Sequence, residues 1–290
     1  MRGLRADVFG LIGVLMVGVI PVSAQLQLHF QTVSREVVEE RLKSYKGNDS
    51  RREATLKRFF QEAGCTGDKL TEQPVQGLQQ PNIICELPGS TDSIIVVAAH
   101  FDHVDRGDGV VDNWSGASML PSLYQALKDE PRRYTFLFIS FAGEEMGLVG
   151  SKFYVSSLTP EQVSKIKLMV CMDTLALGPT EVWVSHSDPE LIRKLVRIAH
   201  ALKSPLTRMD VEKIGESDEE SFRQREVPTI TLHSLTQATL SVLHSPKDNY
   251  SEVHFNDYFQ SYRLVSAYLA FLDQDVLATA PSKDSTPQKH

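Results

Sequence analysis

Seven side chains in the middle of this 290-residue chain have the types and the order that metal chemistry needs. They lie in His100-Phe101-Asp102, Asp112-Asn113, Glu144-Glu145, Cys171-Met172-Asp173 and His244. Two imidazoles, His100 and His244, and three carboxylates, Asp112, Glu145 and Asp173, make a nitrogen-and-oxygen donor set suited to zinc. Asp102 and Glu144 are left for orienting ligands and moving protons.

Each position also has an ordinary reading. Residues i and i+2 of an extended segment face one side. Asp102 can therefore bond the far nitrogen of a metal-bound His100 and raise its basicity. His100 alone would read as a satisfied polar residue at a strand end, and His103 adds an imidazole without an obvious partner. Asp112 stands before Asn113-Trp114-Ser115-Gly116, where an N-cap is the plain role. The chemical role is a bridge, because its two oxygens can face two cations ~3.5–4 Å apart. Of Glu144 and Glu145, one can bind metal while the other takes a proton from water whose pKa the cation lowers towards ~7. Asp173 closes an apolar run and needs a partner or a metal. His244, in the turn-rich Leu243-His244-Ser245-Pro246-Lys247-Asp248, reads alone as a surface histidine.

The elements that must position these groups are apolar runs ending in turns: IIVVAAH, YTFLFISFAGEE, KIKLMVCMD and, more loosely, VPTITLH before His244. Residues just past the strand ends of an open α/β sheet converge on one edge. The pattern predicts helices within 34–64, split at Gly47-Asn48-Asp49-Ser50 with Asp49 or Ser50 as cap, and over 114–130, 147–157, 189–202 and 255–273. Strands are predicted over 66–75, 81–87, 93–99, 134–141, 166–172, 181–185 and 228–232. Strands alternating with helices imply a mixed, largely parallel twisted central sheet with helices on both faces. Pro121 should kink the helix that contains it.

The chain carries 30 Lys+Arg against 37 Asp+Glu, so no phosphate-binding surface is indicated and nucleic acid is excluded as a partner. Residues 1–24 read as a signal peptide: Arg2 and Arg5, an apolar Val8 to Ile20, then Val22-Ser23-Ala24 before Gln25. The apolar core is shorter than the roughly 20 residues of a membrane span. A single domain over 25–277, a disordered tail over 278–290, a secreted or periplasmic location, no stable membrane association and a monomer follow as expectations. Three cysteines argue against a disulfide scaffold. Cys65 and Cys85 flank a predicted hairpin and could pair in an oxidising compartment, although cross-strand cysteines are uncommon partners. Cys171 reads as a buried apolar residue rather than a ligand.

Taken together, VAAHFDHV, GVVDNWSGA, FAGEEMGLVGSKFYV, VCMDTLALG, SDEESF…VPTI and HSPKDNYSEV resemble the co-catalytic di-zinc aminopeptidases of the secreted leucyl type. The wider family also holds zinc carboxypeptidases, transferrin-receptor ectodomains and glutaminyl cyclases. The resemblance covers residues 80 to 272. It implies two zinc ions bridged by Asp112, one completed by His100 and Asp173 and the other by Glu145 and His244. It further implies Glu144 as general base and then acid, Asp102 as the orienter of His100, and a cis peptide bond after Asp112. Two positions depart from the family pattern. Cys171 stands where Asn is frequent, and Ser217-Asp218-Glu219 stands where Ser-Asp-His is usual.

Three functions compete. The leading expectation is hydrolysis of N-terminal peptide bonds in peptides or proteins. The second is acyl transfer by a cyclase that forms N-terminal pyroglutamate; in such relatives the Asp-Asn-x-Ser-Gly motif is usually altered, whereas here it is intact. The third is a non-catalytic ectodomain, which typically loses ligands. The 203–224 stretch and the Leu235-Thr236-Gln237-Ala238 loop are expected to border the substrate pocket.

Overall fold

The computed structural model describes residues 28–210 and 215–275, so segments 1–24 and 278–290 lie outside it. Helices α1 (Arg35–Lys43) and α2 (Asp49–Ala63) open the described chain. Asn48 caps α2 by accepting from the Arg51 N–H, which moves the expected cap one residue earlier. Strand β1 (Leu70–Gln73) is shorter than predicted because Gly67–Lys69 winds into a 3₁₀ turn. Then come β2 (Asn82–Leu87), β3 (Ile94–His100), α3 (Ser115–Leu127), β4 (Thr135–Phe141), α4 (Val149–Ser156) and α5 (Pro160–Lys165). They are followed by β5 (Ile166–Met172), β6 (Thr180–Trp183), α6 (Pro189–Leu202), β7 (Leu206–Met209), α7 (Glu219–Arg223), β8 (Thr229–His233) and α8 (Phe255–Asp275).

The eight strands form one sheet in the order β1-β2-β4-β3-β5-β8-β6-β7. The central run β4-β3-β5-β8 is parallel, β1, β2 and β4 pair antiparallel, and β6 lies antiparallel to β8 and parallel to β7. The expected mixed sheet is therefore present, with its parallel part in the middle, where both faces can be covered.

Alternation along the strands sorts side chains into two cores. Ile95, Val97 and Ala99 of β3 join Phe136 and Phe138 of β4 and Leu168 and Val170 of β5 under α2, α3 and α8. Val96 and Ala98 join Ile139, Phe141, Met169 and Cys171 on the other face, with Tyr154 of α4 and Phe222 of α7. Period-two burial on both faces is why these strands read as unbroken apolar runs. Helix α3 runs through Pro121 and ends three residues before its predicted end, short of Pro131. Helices α5 and α7 and strand β7, of six, five and four residues, were not predicted; they are too short for periodicity to show.

Cys65 and Cys85 are bridged, with Cα atoms 6.3 Å apart. Cys65 does not sit on a strand. It follows Gly64, the left-handed C-cap of α2, so the bridge ties a helix end to β2.

Candidate metal centre

The seven predicted residues come from five places in the sequence and meet where β3, β4 and β5 end. His100 is the last residue of β3 and is 1% exposed. Asp102, two residues on, holds its Oδ1 3.6 Å from His100 Nδ1. The same carboxylate accepts the backbone N–H groups of Glu144 and Glu145, at 3.1 Å each. It thus fastens the turn after β4 to the end of β3. Gly143 makes that turn at φ 69°, and a Cβ there would stand 2.6 Å from Leu78 Cδ1.

Asp112 lies in an irregular segment just before α3, and the Asp112–Asn113 peptide bond is cis, as the family resemblance implies. The Asn113 amide donates to the Met172 carbonyl at 2.9 Å. Its Oδ1 accepts from Gly116 N–H and Thr174 N–H at 2.9 and 3.3 Å. One side chain so couples the Asp112 turn to the β5 end that carries Asp173. Gly116 is required because a Cβ would come within 2.6 Å of the Met172 carbonyl oxygen.

Asp112 Oδ1 is 3.3 Å from His100 Nε2, and its Oδ2 is 3.2 Å from His244 Nε2. His244 Nε2 is 3.0 Å from Glu145 Oε2. Asp173 Oδ1 and Glu144 Oε2 stand 3.7 and 3.9 Å from His100 Nε2. Three groups have donor atoms close enough to hold a cation: His100–Asp112–Asp173, Asp112–Glu145–His244 and His100–Glu144–Glu145. The first two have the expected composition and share Asp112. The third mixes a ligand pair with Glu144.

Electrostatics favours a cation here. Burial, offset in part by His100, combines with the carboxylates of Asp173, Asp218 and Asp112 to push Glu144 up to about 10. Burial also raises Glu145, against a bond from His244. The bonds to Asp112 and Glu145 lift His244 to about 10, against its partial burial. Burial would depress His100, but Glu144, Asp102, Asp112 and Asp173 drive it well above its usual range. Buried carboxylates so crowded that they take up protons lack positive charge. His100 Nε2 and Glu145 Oε1 are buried without a hydrogen-bond partner. Orphaned donor atoms of the type zinc prefers, inside an acidic cluster, fit that ion.

Sequence reasoning missed two supporting residues. Asp248, 2% exposed, accepts the N–H groups of Val111 and Asp112 at 2.7 and 3.1 Å and so holds the backbone of the residue that the first two groups share. Its sequence signals are its place four residues after His244 and its inclusion in the HSPKDNYSEV stretch. Arg52, 1% exposed, donates to the carbonyls of Phe101 and Gly109 at 3.1 and 3.0 Å and to that of Asp108. It anchors the loop between His100 and Asp112. An arginine in line with the buried Leu56, Phe59, Phe60 and Ala63 on α2 was the available clue.

Cys171 is buried and free, facing the second core with Sγ 3.6 Å from Ser217 Oγ, in keeping with the apolar reading. Glu219 is fully buried and bonds His186 Nδ1 at 2.5 Å. His103, without a predicted partner, bonds Asp49 at 2.9 Å.

A cleft of about 300 Å³ opens over the centre, with Leu148, Lys152, Thr174, Gly215, Glu216 and Leu243 beside the acidic cluster. The 203–224 stretch therefore borders it, through Gly215 and Glu216. Loop 235–238 contributes no lining residue; Leu235 packs under it with Val111 and Val242, and Leu243 takes the expected place.

Residues 82–269 match the model of Peptidase family M28. The chain belongs to that family. Leucine aminopeptidase 2 of Trichophyton rubrum is 36% identical over 95 residues, 32% of this chain and 19% of that protein. Leupeptin-inactivating enzyme 1 of Streptomyces exfoliatus is 27% identical over 57% of this chain and 38% of its own length. Aminopeptidase YwaD of Bacillus subtilis is 25% identical over 68% and 44%. The chain thus spans less than half the length of these relatives. Among solved structures, the Legionella pneumophila LapA aminopeptidase superposes with a TM-score of 0.74 at 19% identity, covering 84% of this chain and 70% of that one. A zinc aminopeptidase of Bacillus subtilis gives 0.60 at 23%, covering 66% and 49%. An Acidobacteriales glutaminyl cyclase gives 0.71 at 17%, covering 87% and 98%. At these identities the likeness establishes the M28 fold and no more.

Proposed function

We propose that this M28 chain is an exported aminopeptidase that works with two zinc ions. The observation that carries the proposal is the shared Asp112: its two oxygens face His100 on one side and His244 on the other. His100, Asp112 and Asp173 would hold one ion, and Asp112, Glu145 and His244 the other. Zinc bound there lowers the pKa of water and polarises a peptide carbonyl.

The remaining work falls to the chain's own groups. Glu144 takes no part in either proposed ligand set, and its Oε atoms take a proton from water and return it to the leaving nitrogen. Asp102 fixes His100 from behind and holds the Glu144–Glu145 turn through two backbone bonds. The acidic cleft receives the substrate's α-amine. Export is supported by the 1–24 sequence pattern and by the Cys65–Cys85 bridge, which suits an oxidising compartment. Among the described residues, no helix is long and apolar enough to cross a membrane.

Purified protein should cleave aminoacyl-nitroanilides with an apolar first residue. A chelator should abolish cleavage and Zn²⁺ should restore it. N-terminal acetylation of a peptide should block release of its first residue. Equal cleavage of acetylated peptides would select a carboxypeptidase instead. A second reading has one observation in its favour: the cyclase neighbour is covered over nearly its whole length. Pyroglutamate formation from N-terminal Gln without release of any amino acid would select it.

A further inference from the structure

A second cavity, of about 230 Å³, lies beside the metal cleft, and Lys152 lines both. Its other walls include Val155, Ser156, Ser221, Gln224 and Arg225. Two cations and no acid line it, in a molecule whose net charge is -7. Lys152 donates to the Gly147 carbonyl at 3.0 Å and Arg225 to the Val155 carbonyl at 3.0 Å. Among the described residues neither is paired with a carboxylate. Each therefore keeps donors and a full charge to offer.

The two cavities follow one another along α4. Gly147 and Leu148 border the metal cleft, Lys152 borders both, and Val155 and Ser156 border the second cavity. Leu148 to Ser156 is about 12 Å at ~1.5 Å per helical residue. An extended peptide covers that length in three to four residues at ~3.3 Å each. Charge sets its direction. Glu144 and Glu216, which lie in neither proposed ion set, leave negative charge in the metal cleft for an α-amine, whereas Lys152 and Arg225 attract a carboxylate. A peptide whose first bond lies in the metal cleft beside Leu148 thus brings its fourth or fifth residue to the second cavity.

We propose that the cavity between Lys152 and Arg225 is a subsite for a carboxylate carried by the fourth or fifth residue of the substrate. The carboxylate comes from an acidic side chain or from the chain end of a short peptide. The register rests on the aminopeptidase reading; the recognition of a carboxylate does not.

Two peptide pairs separate the sources, assayed on the zinc-loaded full chain. Leu-Gly-Gly-Gly with a free acid or an amide end tests the chain end. Leu-Gly-Gly-Glu-Gly-amide against Leu-Gly-Gly-Gln-Gly-amide tests the side chain. At least one pair should show kcat/KM higher for the acid by about fivefold, mainly through KM, which is the scale of one exposed ion pair. Arg225→Gln and Lys152→Gln should each bring that ratio towards one, and Arg225→Lys should retain most of it. Each ratio is taken within one protein, so a general loss of folding or turnover cancels. Binding of the same peptides with a reduced, uncleavable first bond, read by calorimetry, should show the same preference. A ratio near one for both pairs, a ratio that survives both Gln substitutions, or one lost equally in Arg225→Lys overturns the subsite. If no peptide or nitroanilide is cleaved, the aminopeptidase reading falls, and the calorimetric preference alone decides the subsite.

Discussion

Glu144 and Glu145 are neighbours in sequence with different surroundings, and their proposed division of labour rests on that difference. Glu145 Oε2 lies 3.0 Å from His244 Nε2, whereas Glu144 Oε2 stands 3.9 Å from His100 Nε2. Glu144→Gln keeps the shape and removes the proton acceptor. Turnover should fall on the order of 10²–10⁴-fold with metal content near that of the native protein. Near-native turnover would remove Glu144 from the mechanism. Asp112→Ala removes the one side chain common to both proposed ion sites. By plasma mass spectrometry it should lower zinc stoichiometry more than His244→Ala or Asp173→Ala does. An equal loss in all three variants would argue against a bridge.

Loops and helix ends hold the centre as much as the strands do. The chain after His244 returns to the Asp112 turn, where Asp248 accepts two consecutive backbone N–H groups. Asp248→Asn turns one of those acceptors into a donor facing an N–H. Zinc affinity should weaken by about 10–100-fold, the usual effect of losing a group that orients a ligand. Titration against a competing chelator would measure it, and native affinity would show that the loop needs no such clamp. At the end of α2, the Cys65–Cys85 bridge to β2 spans a sequence separation of 20. Replacing both cysteines with serine should cost ~3 kcal/mol by the loop-closure estimate. Denaturant titration reads this directly, and an unchanged midpoint would mean the bridge is not formed.

At the scale of the whole molecule, the centre joins the ends of β3 and β5, the turn after β4 and the loop before α8. A cation bound only by the folded state adds to folding free energy. Zinc held at 1,000 times its dissociation constant contributes ~4 kcal/mol per ion. Chelation should therefore lower the melting temperature, and added Zn²⁺ should restore it. Asp112→Ala should melt near the chelated native protein and gain little from zinc. If chelation left the native melting curve in place, the cluster would not be a tightly occupied metal site.

The sequence by itself determined which side chains could form the centre and which strands deliver them. Ligand type is a property of the residue, and burial of a central parallel strand on both faces leaves an apolar run that ends where the site begins. His100, Glu144–Glu145 and Asp173 could be placed in this way. His244 and Asp112 were named by residue type and order, but periodicity could not place them, because they sit in loops with no period; the resemblance implied their roles. The tertiary structure decided what holds these ligands. Arg52 is 48 residues before His100, and Asp248 reaches back 136 residues to Asp112. No local signal registers hydrogen bonds between segments so far apart. The same limit hid the Cys65–Cys85 geometry, since a helix end and a strand become neighbours only when α2 packs on the sheet. It also hid the meeting of Lys152 on α4 with Arg225 in the turn after α7, which share a cavity only in the folded chain.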